Sequence, residues 1–243
     1  MEIIKIENAG KCINGKWIFQ NVTVSFFAGT IYGLIGHNGS GKTMLLKSIC
    51  GLCRLTEGTI LVNGKQIGKE IDIPDSLGAI IEVPGFLPNI SGFSNLKYLA
   101  RLRNKISDNE IYQAIRTVGL DPDSRKHVGK YSLGMRQRLG IAQAIMENPD
   151  ILLLDEPTND LDIVTLTILE DYLKSFSGAV IAISHDRYFL DKMASEIWEL
   201  PGDGSVRRYN GNYSDYAANA LPTAPAEFEK KSTEKKEKTV VGK

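Results

Sequence analysis

Gly36-His37-Asn38-Gly39-Ser40-Gly41-Lys42-Thr43 fits the pattern GxxxxGK[ST]. Glycines let a backbone curl until successive N–H groups converge on one point, the arrangement a phosphate requires. Lys42 would add a point charge to the β- and γ-phosphates of a nucleotide, and the Thr43 hydroxyl would be a ligand of its Mg²⁺. His37 reads as a loop spacer. A second set, Ile151-Leu152-Leu153-Leu154-Asp155-Glu156, is an apolar run ending in two carboxylates. Asp155 suits the Mg²⁺ shell. Glu156 suits orienting or deprotonating an attacking water, a task that needs a carboxylate within hydrogen-bond reach.

These groups need elements that bring them together. Ile31 to Ile35 is a short apolar run that ends at the glycine-rich turn and passes into MLLKSICGL, which has helical spacing. The runs ILLLD and AVIAIS are wholly apolar, as strands buried on both faces of a parallel sheet are. Their carboxyl ends would put Asp155 and Glu156 beside the glycine-rich turn. Residues 3–8 and 22–27 alternate like strands, with Asn14-Gly15 as a turn, and predict an antiparallel opening sheet.

From Gly85 to about Met146 apolar residues recur every three or four positions, and Ser107 with Glu110 makes a capping-box start. That stretch predicts a helical lobe inserted into an α/β core. EIWEL and SVRRY across Gly202-Asp203-Gly204 predict a closing hairpin. One domain is expected over 1–216. Residues 217–243, rich in Ala, Pro, Lys and Glu, predict a disordered or loosely helical tail.

The bulk numbers exclude several classes. A chain of 243 residues with 42% hydrophobic content can bury one α/β core. Lys+Arg and Asp+Glu are equal at 29 each, so no global field draws nucleic acid or anionic lipid, and no direct DNA binding is expected. No apolar run approaches the ~20 residues of a spanning helix, and the N-terminus has no apolar segment behind a basic start, which predicts a cytoplasmic protein. Cys12, Cys50 and Cys53 form no disulfide framework; the Cys50/Cys53 pair has no second pair to complete a metal site, so core packing is expected.

Taken in order, GHNGSGKT, YSLGMRQR, ILLLDEP, NDLD and Ser184-His185 resemble an ABC ATPase domain over nearly all of residues 1 to 216. The resemblance implies a P-loop ABC core with an antiparallel edge sheet, ATP and Mg²⁺ as ligands, and ATP hydrolysis. It implies a homodimer, or a heterodimer with a homologue, that sandwiches two ATP·Mg²⁺. YSLGM corresponds to the signature LSGGQ, so Ser132 and Gly134 would meet the γ-phosphate held by the partner's P-loop. Asn159, Asp160, Leu161 and Asp162 become the D-loop, and His185 the switch histidine.

Three departures carry further implications. Glu82 stands where relatives carry the Q-loop glutamine; it keeps an oxygen ligand for Mg²⁺ or its water and adds charge. Its setting IEVPGF, with SLGMRQRLGIA, is similar to exporters of lantibiotics and bacitracin-like peptides. That implies a subunit powering export through a separate membrane permease, peripheral at the inner face of the membrane, with Gly85 to Leu99 towards the permease. Where relatives stack adenine on an aromatic, this chain has Ile13; Trp17 is near enough to substitute, and packing on the edge sheet is its alternative role. From about Leu161, the sequence including HDRYFLD and GNYSDY is similar to ABC-F proteins, so a transporter-type front to about residue 155 joins an ABC-F-type back. The ribosome is the alternative partner that this likeness implies.

Overall fold

Asn14 and Gly15, with φ of 50° and 76°, make the tight turn between two long strands, β1 (Glu2–Ile13) and β2 (Lys16–Phe27). This computed structural model describes residues 1–81, 85–159, 161–203 and 205–220. Both strands run well beyond the alternating stretches 3–8 and 22–27. The register shifts between Ile6 and Ala9 and again between Ala9 and Lys11, and Asn8 and Asn21 take left-handed φ, so the alternation breaks while the pairing continues. With β4 (Glu57–Val62) and β5 (Lys65–Gln66) they form an antiparallel sheet in the order β2-β1-β4-β5.

The second sheet joins β3 (Ile31–Ile35), β6 (Leu77–Ile80), β7 (Ile151–Asp155), β8 (Ala179–Ile183), β9 (Glu196–Glu199) and β10 (Arg207–Asn210), in the order β10-β9-β3-β8-β7-β6. All neighbours are parallel except β9 and β10. β3, β7 and β8 coincide with the apolar runs seen in the sequence. Because β8 lies between β3 and β7, its carboxyl end falls between the glycine-rich loop that follows β3 and the two carboxylates at the end of β7. A crevice outside the carboxyl ends of parallel strands is where such sheets bind ligands.

The parallel sheet separates two cores. Ile151, Leu153, Ala179 and Ile181 face Tyr32, Leu34 and helix α1 (Lys42–Ile49), which lies between the two sheets. Leu152, Leu154, Val180 and Ala182 face the other way, against helices. Those helices are α2 (Gly92–Arg103), α3 (Asp108–Thr117) and α4 (Leu133–Ile145) between β6 and β7, then α5 (Ile163–Ser175) and α6 (Arg187–Met193). Ser107 and Glu110 form the expected capping box, and these hydrogen bonds hold the Glu110 carboxyl below its usual range. Cys50 is buried in the first core, where burial pushes its thiol up to about 12.

A last helix, α7 (Tyr213–Ala220), crosses the boundary at 216 where the tail was expected. Its first turn is closed by a reciprocal pair: Asn212 N donates to Asp215 Oδ2, and Asp215 N donates to Asn212 Oδ1, each at 3.0 Å. Alanines, weak as burial signals, are strong helix formers, and Tyr216 anchors them by packing on Tyr209 and donating to Glu199. Residues 221–243 of the expected tail lie outside the described residues. Among the described residues no helix is long and apolar enough to cross a membrane.

Candidate functional site

The chain leaves β3 through Gly36 at φ 148°, where a Cβ would come 2.2 Å from the carbonyl oxygen of Leu200, so only glycine fits. Gly41, at φ 97°, is the N-cap of α1. Between them the loop wraps Lys42, which is only 7% exposed and whose Nζ donates to Gly36 O at 2.7 Å and His37 O at 3.0 Å. Burial lowers the Lys42 pKa, and the negative charges of Glu156 and Asp155 oppose that shift. The buried Ser40 Oγ has no hydrogen-bond partner among the described residues.

Asn38, Gly39, Ser40, Gly41, Lys42 and Thr43 line a cavity of about 450 Å³ together with Asp155, Glu156 and His185. The expected catalytic residues Lys42, Glu156 and His185 thus meet in one place, with the metal candidates Thr43 and Asp155 beside them. Four residues that sequence reasoning did not assign to the site also reach it: Ile18, Met44, Lys47 and Ile183. Lys47 stands one helical turn after Thr43, and that spacing is the signal that could have found it.

Glu156 follows β7 with φ of 49°, a left-handed conformation rare for a side chain of this size. Its N–H donates to Ile183 O at 2.9 Å, and its carbonyl accepts Asn159 N–H at 3.1 Å. Both carboxylate oxygens meet His185: Oε1 lies 3.3 Å from Nε2, and Oε2 accepts the backbone N–H at 3.3 Å. Ser184 sets the histidine's position, since its buried Oγ accepts Asp186 N–H at 3.0 Å and lies 3.1 Å from Thr158 Oγ1. Backbone strain of this kind costs about 1–3 kcal/mol and persists where surrounding contacts over-determine it.

His37 lies away from the cavity wall. Its Nδ1 is 2.8 Å from Asn38 O, and its Nε2 occupies the place a Cβ on Gly202 would take, so it wedges the loop against the turn before β10. Ser132 and Gly134 are at the start of α4, where Ser132 Oγ accepts Met135 N–H at 3.2 Å, and neither lines the cavity. Trp17 is 40% exposed on β2, opposite Cys12, and its neighbour Ile18 takes the cavity side. Glu82 and Asp160 lie outside the described residues.

A family described as ABC transporter matches residues 19–159. The chain is 46% identical over 188 residues to an uncharacterized ABC transporter ATP-binding protein, YybJ, of Bacillus subtilis (strain 168), covering 76% of this chain and 86% of that one. It is 39% identical over 186 residues to the bacitracin transport ATP-binding protein BcrA of Enterococcus faecalis, covering 75% of this chain but 60% of BcrA. Among solved structures, a dimeric post-hydrolysis state of the ATP-binding cassette MJ0796 bound to ADP and Pi superposes with a TM-score of 0.73 at 21% identity, over 86% of this chain and 98% of that one. At that identity the likeness is one of fold.

Proposed function

This chain belongs to the ABC transporter family, and on that premise we propose that it is the subunit that binds and hydrolyses ATP to power export through a membrane permease supplied by another chain. The carrying observation is Glu156, held at both carboxylate oxygens by His185 and lining one cavity with the glycine-rich loop.

The loop's N–H groups and the start of α1 hold the β- and γ-phosphates, with Lys42 as the point charge. Thr43 and Asp155 offer a hydroxyl and a carboxylate to one cavity, the hard-oxygen donors that suit Mg²⁺, which takes one or two protein ligands and fills its shell with phosphate oxygens and water. Glu82 is assigned to that same shell. When bound, the ion neutralises phosphate charge as the terminal bond breaks. Glu156 orients the attacking water and draws on its proton, while His185 holds that carboxylate and reaches towards the γ-phosphate. Trp17, exposed beside Ile18, is the aromatic available to the adenine.

Ser132 and Gly134 sit apart from their own chain's cavity, so their role needs a second copy or a homologue, as in the MJ0796 dimer. Closure then follows ATP and reopening follows hydrolysis, with the work coming from the difference in dimer affinity between nucleotide states. The name of BcrA supports export of a peptide antibiotic, and a permease partner would hold the protein at the inner face of the membrane. Phosphate release from the wild type and Glu156→Gln tests the reading: a loss of about 10²-fold or more is expected for a general base. Equal rates would remove Glu156 from this role.

A further inference from the structure

Four hydrogen bonds join α4 to the segment that follows Glu156. Gln137 Nε2 donates to Asn159 O at 3.0 Å. The Arg138 guanidinium donates through Nε to Thr165 Oγ1 at 2.7 Å and through Nη2 to both carboxylate oxygens of Asp162 at 3.2 Å. Asp162 in turn caps α5 by accepting Thr165 N–H at 2.7 Å, and Thr165 is fully buried. At the start of α4 the approach is close enough that a Cβ on Gly134 would stand 3.0 Å from Asp162 Oδ2.

The spacing makes this a mechanical path. Arg138 is four residues after Gly134, so the two share one face of α4, a single turn apart. At the other end, Asn159 N–H is bonded to Glu156 O at 3.1 Å, so the turn after β7 moves with the carboxylate that faces the cavity. The guanidinium is one rigid plane satisfying a hydroxyl and a carboxylate together, which a lysine ammonium cannot reproduce. The path also has room to reset. With Nε2 committed to Asn159 O, the buried Gln137 Oε1 has no partner among the described residues, and a shift of the turn could bring it a donor.

We propose that Arg138 is a positioning residue that couples nucleotide in a chain's own cavity to the setting of Ser132 and Gly134, the groups the same chain offers to the other copy's nucleotide. The proposal rests on the nucleotide reading of the cavity above, but not on turnover or on dimer formation.

The test uses the full chain with ADP·Mg²⁺ and follows amide hydrogen exchange in the first turn of α4. ADP is expected to change exchange there by about fivefold in the wild type, the low end of couplings between sites. Arg138→Lys and Asp162→Asn should abolish that change while leaving ADP affinity intact; Asn remains a good N-cap, so the second variant keeps α5 folded. ADP binding with no response of α4 in the wild type, or a full response in both variants, would overturn the proposal. A protein that fails to bind ADP would overturn the cavity reading itself, and the titration reports this separately.

Discussion

His185 grips Glu156 twice, by its ring Nε2 at 3.3 Å and by its backbone N–H at 3.3 Å, so the carboxylate is aimed by a residue from the neighbouring strand. Only the ring contact is lost in His185→Ala. Phosphate release at saturating ATP should then fall by about 10²-fold, with KM nearly unchanged, because the interaction matters most as the bond breaks. A matching rise in KM with kcat intact would assign His185 to binding instead.

The left-handed φ of Glu156 makes a stability prediction that runs against activity. Glu156→Gly should be more stable than Glu156→Ala by about 1 kcal/mol, since only glycine adopts this conformation without penalty. Thermal unfolding of the two variants measures it; equal stability would mean that the backbone relaxes.

Gly36→Ala places a methyl 2.2 Å from Leu200 O, a backbone atom with no rotamer to escape into. A loss of about 3 kcal/mol in denaturant unfolding is expected. Gly39→Ala is the reference: at φ 82° it carries the positive-φ penalty alone, since a Cβ there meets nothing within 4 Å. A Gly36→Ala protein as stable as the reference would show that the loop moves off Leu200.

Asp162 carries a pH signature. The backbone N–H and hydroxyl of Thr165, and then Arg138, hold its carboxyl below 3.8. Its folded pKa is thus depressed, so its contribution is fully present above the unfolded value and is lost as pH falls through the folded one. As pH falls through and below the ordinary carboxylate range, the wild type should lose more stability than Asp162→Asn, read as the difference in unfolding midpoints. Parallel curves would rule out this carboxylate as the titrating group.

The choice of partner can be read from Glu156→Gln with ATP·Mg²⁺ in a gradient containing ribosomes. An ATP-dependent dimer that runs free of ribosomes is expected. Co-migration abolished by ADP would favour the ribosome and overturn the exporter reading.

Much of this site was legible because its strands are short and wholly apolar. β3, β7 and β8 are buried on both faces, so their ends, and the chemistry placed there, could be read without knowing the sheet order. That β8 lies between the other two could not be read, because strand order depends on contacts far apart in sequence. Ile18 was missed since the adjacent Trp17 is the larger signal, and which of two neighbours faces the cavity depends on a register that bulges had already shifted. The expected tail, disordered or loosely helical from 217, begins inside α7, because Ala217 and Ala218 resemble linker composition until Tyr216 is seen to anchor them. The roles of Ser132 and Gly134 rested on family resemblance, since nothing within one chain brings them to a phosphate.

The three cysteines differ sharply in chemical availability. With its thiol buried and pushed up to about 12, Cys50 holds almost no thiolate at neutral pH, whereas Cys12 and Cys53 are partly exposed. Maleimide dyes should therefore mark the edge sheet and the loop after α1 while sparing the helix beneath the phosphate loop. Because Cys12 pairs directly with Trp17 across the hairpin, a fluorophore there would sit beside a natural quencher, on the strand pair whose Ile18 lines the cavity.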